Sequence, residues 1–173
     1  MQELEKNYGW TFTPEEYQNT PKRIESMLSE WKEKNTYSKM TTFDNTEKYD
    51  ELIVIRDIEF TAFCSHHLLP FHGTISVAYL PRDKILGASK IVRIAEKFAY
   101  KAQVQEKLTV EIANEIMNVV NPVAVVVIVK AQHFCMIARG VKKENSEMVT
   151  SAVRGEAISN ASLKAEALKL LGE

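Results

Sequence analysis

The run Val123-Ala124-Val125-Val126-Val127-Ile128-Val129 limits the fold of this chain more than any other feature. Nearly every member is β-branched, a side-chain shape that suits a pleated strand. Apolar residues at consecutive positions point to both sides of a strand, so this one is expected to be buried on both faces or nearly so. It is far too short to cross a bilayer. The strand is expected to run on through His133 and Cys135, which places His133, Cys135 and, if it continues, Arg139 on one face.

The rest of the chain alternates between two periods. The first forty residues read as two short helices. Thr13-Pro14-Glu15-Glu16 carries a cap, a proline and first-turn acids. Thr20-Pro21 repeats the signal ahead of Ile24, Met27, Leu28 and Trp31 at helical spacing. Lys32 to Lys48 is polar and reads as a linker or mobile loop. From Leu52 the period becomes two: Ile58, Phe60 and Ala62 alternate with polar residues, and Gly73 to Tyr79 forms a second strand stopped by Pro81-Arg82-Asp83. One helix begins near Ser89 and a longer one spans about Val104 to Val120. The segment after Gly140 suggests a turn and one more strand, and Ala161 to Leu171 a terminal helix. The order predicts an α+β domain over residues 49–173, preceded by a helical extension and linker over 1–48. Its few antiparallel strands leave open edges, which favours self-association.

At 173 residues, 45% apolar and 26% charged, the composition is that of a soluble globular domain. A net charge of -1 supplies no field that would recruit nucleic acid or an acidic membrane, so an anionic ligand needs a local cluster. The first residues lack a signal-peptide pattern, and a cytoplasmic location is the expectation. Cys64 and Cys135 are the only cysteines, and in a reducing compartment two thiols are ordinarily inert core residues.

Their neighbours argue otherwise. Cys64-Ser65-His66-His67 sets a thiol and an imidazole three positions apart where a strand enters a turn. Gln132-His133-Phe134-Cys135 sets a histidine beside the second thiol. Three of the four histidines thus adjoin the two cysteines, while His72 reads as a surface or loop residue. Either motif alone arises by chance, and Cys135 could be a small core residue. Together, Cys64, His67 and Cys135 make a three-ligand zinc site with one open position, the pattern of a catalytic rather than a structural ion. His66 and His133 would then be imidazoles placed for proton transfer.

Ser89-Lys90-Ile91-Val92-Arg93 opens a helix with two cations, which suits phosphate as well as it suits solvent. Glu106 lies in a first helical turn, where it either complements the helix dipole or accepts paired hydrogen bonds from a guanine edge. Arg139 and Arg23 are further phosphate candidates.

These stretches, with Thr20-Pro21-Lys22-Arg23-Ile24, Gly87-Ala88-Ser89-Lys90, Gln103-Val104-Gln105-Glu106-Lys107-Leu108-Thr109 and Ala138-Arg139-Gly140, resemble GTP cyclohydrolase I from about Asn19 to Ser151, in order and in spacing. The resemblance implies a T-fold, a small antiparallel sheet backed by two helices. It also implies sheets joined into an oligomeric barrel, a homodecamer with active sites between subunits. It implies Zn2+ on Cys64, His67 and Cys135, with water on the open position attacking C8 of GTP. His133 would protonate N7, and His66 would assist ring opening. Gln105 and Glu106 would hold the guanine edge, and Ser89 would reach the ribose. Lys90, Arg93, Arg139 and, from another subunit, Arg23 would clamp the triphosphate. The implied products are formate and 7,8-dihydroneopterin triphosphate, at the head of tetrahydrofolate and pterin synthesis.

Three departures accompany the likeness. Ser65 replaces the usual Glu of Cys-Glu-His-His, Lys101-Ala102 replaces Arg-Pro, and Glu156-Ala157 stands where a Gly-x-Phe ending is expected. Two alternatives therefore stand beside the full reaction: a hydrolase that opens GTP and stops before the pterin, and a non-catalytic T-fold nucleotide-binding module with a structural zinc.

Overall fold

The computed structural model describes residues 1–36 and 40–173; residues 37–39, within the stretch read as a linker, lie outside the described residues. Helix α1 (Gln2–Tyr8) ends on Gly9 in the left-handed conformation. Helix α2 (Pro14–Asn35) starts on a complete capping box: Glu16 N–H donates to Thr13 Oγ1 at 3.2 Å, and Thr13 N–H donates to the Glu16 carboxylate at 2.8 Å. The second start expected at Thr20-Pro21 does not occur. Pro21 lies inside α2, where it forgoes one backbone bond while the helix continues. Downstream, Trp31 stacks on Phe63 with ring centroids 4.5 Å apart and meets the Tyr100 ring edge-on.

The sheet is built from β2 (Ile53–Cys64), β3 (Pro70–Leu80), β5 (Ala102–Gln103), β6 (Ala124–His133) and β7 (Met148–Gly155), in the order β5-β2-β3-β6-β7. All neighbours are antiparallel except β5, which runs parallel to the last two residues of β2. Two further strands, β1 (Thr42–Asp44) and β4 (Lys84–Leu86), pair with each other. Neither was expected, and β1 lies within the segment read as linker. Strands of only three residues leave little periodic signal.

Three helices cover the sheet. α3 (Ala88–Ala99) and α4 (Gln105–Val120) pack on one face. α6 (Ala161–Leu171) packs on the other, following a short 3-10 turn at Glu156–Ile158. The two-sided burial of the valine run follows directly. Val125, Val127 and Val129 enter the core under α3 and α4, and Ala124, Val126 and Ile128 enter the smaller core under α6. β3 approaches β6 so closely at Gly73 that a Cβ there would lie 1.9 Å from the Lys130 carbonyl oxygen, and only glycine fits.

β6 does not continue through Cys135. It ends at His133, and the chain turns into α5 (Phe134–Ile137), closed by Ala138 N–H on the Phe134 carbonyl at 2.8 Å. Cys135 and Arg139 are therefore presented by a helical turn and its exit, not by one face of a strand. The helix expected at Ser89 starts one residue earlier, with Gly87 as its N-cap, whose carbonyl accepts from Lys90 N–H at 2.7 Å.

Candidate metal centre and its surroundings

In β2 the inward positions Ile58, Phe60, Ala62 and Cys64 alternate with more exposed ones, so the Cys64 thiol is the last inward side chain before the chain turns. The turn is tightly tied. Cys64 N–H donates to the Leu69 carbonyl at 2.8 Å, the Cys64 carbonyl accepts from Leu68 N–H at 2.8 Å, and Ser65 N–H donates to the Gln103 carbonyl at 3.0 Å. His66 and His67 project from this turn, and His66 Nδ1 stands 3.7 Å from Cys64 Sγ. The β3–β6 register pairs Phe71 with His133, so the end of β6 lies alongside the same turn. The helical turn of α5 then swings Cys135 towards Cys64.

As a result the ligand atoms of Cys64, His67 and Cys135 all lie within 4.8 Å of one another. Zn–S bonds of about 2.3 Å and Zn–N bonds of about 2.0 Å put the donors of a tetrahedral site about 3.5–3.8 Å apart, so this set closes on one ion with small side-chain rotations. The chemistry also fits: burial first, and then the neighbouring Cys64, push the Cys135 thiol above its usual range, while Arg139 acts the other way. Two crowded thiols gain most from a divalent cation that replaces their protons. Among the described residues no fourth ligand joins the group. His72, the spare histidine, is a β3 residue on the face opposite Phe71, its ring near Phe134.

His133 is 8% exposed, and its ring lies flat on Phe71, with centroids 4.5 Å apart and planes 4° from parallel. Burial holds its imidazole below the ordinary range, and the Glu106 carboxylate pulls in the opposite direction. Glu106 itself is exposed in the first turn of α4. His133 Nε2 lies 2.8 Å from Gln105 Oε1. Gln105 is 1% exposed and its amide nitrogen faces Val129 O, Met148 O and Thr150 Oγ1. Gln105, expected to hold the guanine edge together with Glu106, is the first residue of α4, and its side chain points into the fold, where the amide nitrogen faces acceptors on β6 and β7.

Arg139 joins the cluster, with Nη1 donating to His67 Nε2 at 2.9 Å. Ser89 and Lys90 open α3, and no hydrogen bond or ion pair joins them to the Cys–His group; Arg93 lies one turn further along the same helix. Arg23 stands on α2, in an exposed ion pair with Glu15 at 2.6 Å. Sequence reasoning missed Phe71, Thr109 and Thr150, which surround His133 and Gln105. The available signal was two polar residues, Gln105 and Thr109, in the otherwise apolar stripe of Leu108, Ile112, Ala113 and Ile116.

A family model described as GTP cyclohydrolase I matches residues 1–172. Among curated proteins, the GTP cyclohydrolase 1 of Chlorobaculum tepidum is 47% identical over 127 residues, covering 73% of this chain and 57% of that relative. The protein of the same name from a Sulfurihydrogenibium species is 44% identical over 155 residues, covering 88% of this chain and 81% of the relative. That of a Hydrogenobaculum species is 39% identical over 163 residues, covering 94% and 89%.

Proposed function

Because the chain belongs to the GTP cyclohydrolase I family, we propose that it opens the guanine imidazole ring of GTP, releases formate and closes the product to 7,8-dihydroneopterin triphosphate. The observation that carries this reading is the convergence of Cys64, His67 and Cys135 beside a buried histidine and an exposed carboxylate. A zinc ion held by those three residues would supply Lewis acidity at the purine. His133 delivers the proton to N7 and His66 serves the later proton transfers. Glu106 accepts from N1–H and the 2-amino group of the base, a paired contact that only a carboxylate gives at this position.

Ser89 reaches the ribose, and Lys90, Arg93 and Arg139 hold the triphosphate, with Arg23 contributed by a second subunit. Arg23 stands on α2 with its guanidinium exposed, which supports a site completed between copies. The proposed assembly is a barrel of T-fold subunits in a homodecamer. Two features support it: β7 has no partner on its outer side among the described residues, and Ile24 and Leu28 of α2 are each about half exposed. GTP is the proposed substrate, the cytoplasm the proposed location, and neither nucleic acid nor membrane a proposed partner.

The test is to incubate the zinc-loaded protein with GTP and follow formate and pterin fluorescence together. Formation of both is expected. Formate without the fluorescent product would favour the ring-opening hydrolase, a reading that the loss of a carboxylate at Ser65 keeps specific. Bound zinc with neither product would favour the structural module, against which the three-donor group already speaks.

A further inference from the structure

The carboxamide of Gln105 is the most heavily bonded polar side chain near the metal centre, and its orientation follows one proton at a time. The Thr109 hydroxyl has a single hydrogen and gives it to the Gln105 backbone carbonyl at 2.7 Å. Across the 2.6 Å contact between Thr109 Oγ1 and Thr150 Oγ1, Thr150 must then be the donor. With its hydrogen committed, Thr150 Oγ1 only accepts from the Gln105 side chain, 3.2 Å away. The carbonyl oxygens of Val129 and Met148, each at 2.9 Å, also only accept. Three acceptors on one side fix the amide nitrogen there, and the amide oxygen is left facing His133 Nε2 at 2.8 Å. An amide oxygen cannot donate, so Nε2 carries a hydrogen.

We infer that Gln105 is a positioning residue: its fixed amide locks His133 as the Nε2–H form, flat on Phe71, and makes Nδ1 the nitrogen that exchanges the proton with substrate. Nδ1 has no hydrogen-bond partner among the described residues. Its anchors lie on two strands: β6 supplies the buried Val129 carbonyl, and the edge strand β7 supplies the partly buried Met148 and Thr150. Gln105 thereby ties the orientation of His133 to the register of the β6–β7 pair. The inference rests on the reading of His133 as proton donor, but its main observable does not depend on turnover.

Gln105→Met keeps the side-chain length and removes the acceptor. Nitrogen-15 magic-angle-spinning spectra of zinc-loaded, histidine-labelled protein at about pH 8, where an ordinary imidazole is neutral, report the tautomer of each ring. The His133 signals are identified by their loss in His133→Asn. The parent is expected to show Nε2–H with bare Nδ1, and Gln105→Met a mixture of tautomers. With GTP, kcat of Gln105→Met is expected to fall about 100-fold, the lower range of what general acid–base catalysis contributes, with KM and zinc content unchanged. A parent spectrum with the hydrogen on Nδ1 overturns the proposal, whether or not the variant folds. Raised KM with unchanged kcat overturns it in favour of a contact to the base. Absence of formate from the parent would refute the proposed reaction instead, and the tautomer result would still decide the role of Gln105.

Discussion

Cys135 is a side chain whose thiol is disfavoured as an anion by burial and by its neighbour Cys64, yet which sits at ligand distance from two other donors. That combination suits a cation held between the donors. Cys135→Ser exchanges a soft sulfur for a hard, poorly ionised oxygen. Loss of bound zinc and a fall in formate release of at least about 100-fold are expected, with the melting temperature within about 4 °C of the parent. Zinc analysis and a calorimetric scan check this. Glu106 poses the opposite problem, an exposed carboxylate near His133 that makes no hydrogen bond or ion pair among the described residues. Glu106→Gln turns one acceptor into a donor facing donors, and KM for GTP is expected to rise about 10–100-fold with the fold unchanged. Steady-state kinetics across GTP concentrations measure it. Gln105 and Glu106, adjacent in sequence, divide the labour because consecutive helical residues lie about 100° apart, and here that rotation takes Glu106 off the buried stripe of α4.

At the scale of elements, the ends of strands matter more than their middles. β2 ends in a thiol, and β6 ends in an imidazole; the pairing of each with β3 brings those ends together. The far end of β3, away from Phe71, anchors the scaffold instead. Tyr79 is fully buried, and its hydroxyl oxygen accepts from Leu86 N–H at 3.1 Å, tying β3 to β4. Tyr79→Phe leaves that N–H without its partner and is expected to cost about 1–3 kcal/mol at neutral pH. Burial pushes the Tyr79 phenol above its ordinary range, and the Leu86 N–H opposes this. The folded state therefore favours the neutral phenol. Its contribution to stability is complete below the unfolded value, about 10, and is lost as pH rises through the higher folded value. The melting temperature of the parent is expected to fall more steeply above about pH 10 than that of Tyr79→Phe, as parallel thermal melts would show.

At the scale of the molecule, among the described residues a single copy leaves the outer edge of β7 unpaired and Ile24 and Leu28 of α2 about half exposed. Replacing Ile24 and Leu28 together by Asp is expected to lower the assembly mass in light scattering while the circular dichroism of the fold persists, and formate release should fall with it. The amino-acid sequence alone determined the two-sided burial of the strand over Ala124–Val129, the capped start at Thr13 and the helix to Val120, and it singled out Cys64, His67 and Cys135, which lie together. Each of these is set by a local period, a cap or a residue type of rare chemistry. Tertiary structure decided the rest. The capped helix runs straight through Pro21, because the cost of one missing backbone bond is small beside the helix it would interrupt. β6 stops at His133, so Cys135 meets Cys64 by way of a turn. Gln105 faces inward because its partners are carbonyls and a hydroxyl contributed by β6 and β7, far along the chain. A local pattern encodes which face of an element is apolar; what a buried polar group will find on the other side is known only once the strands have paired.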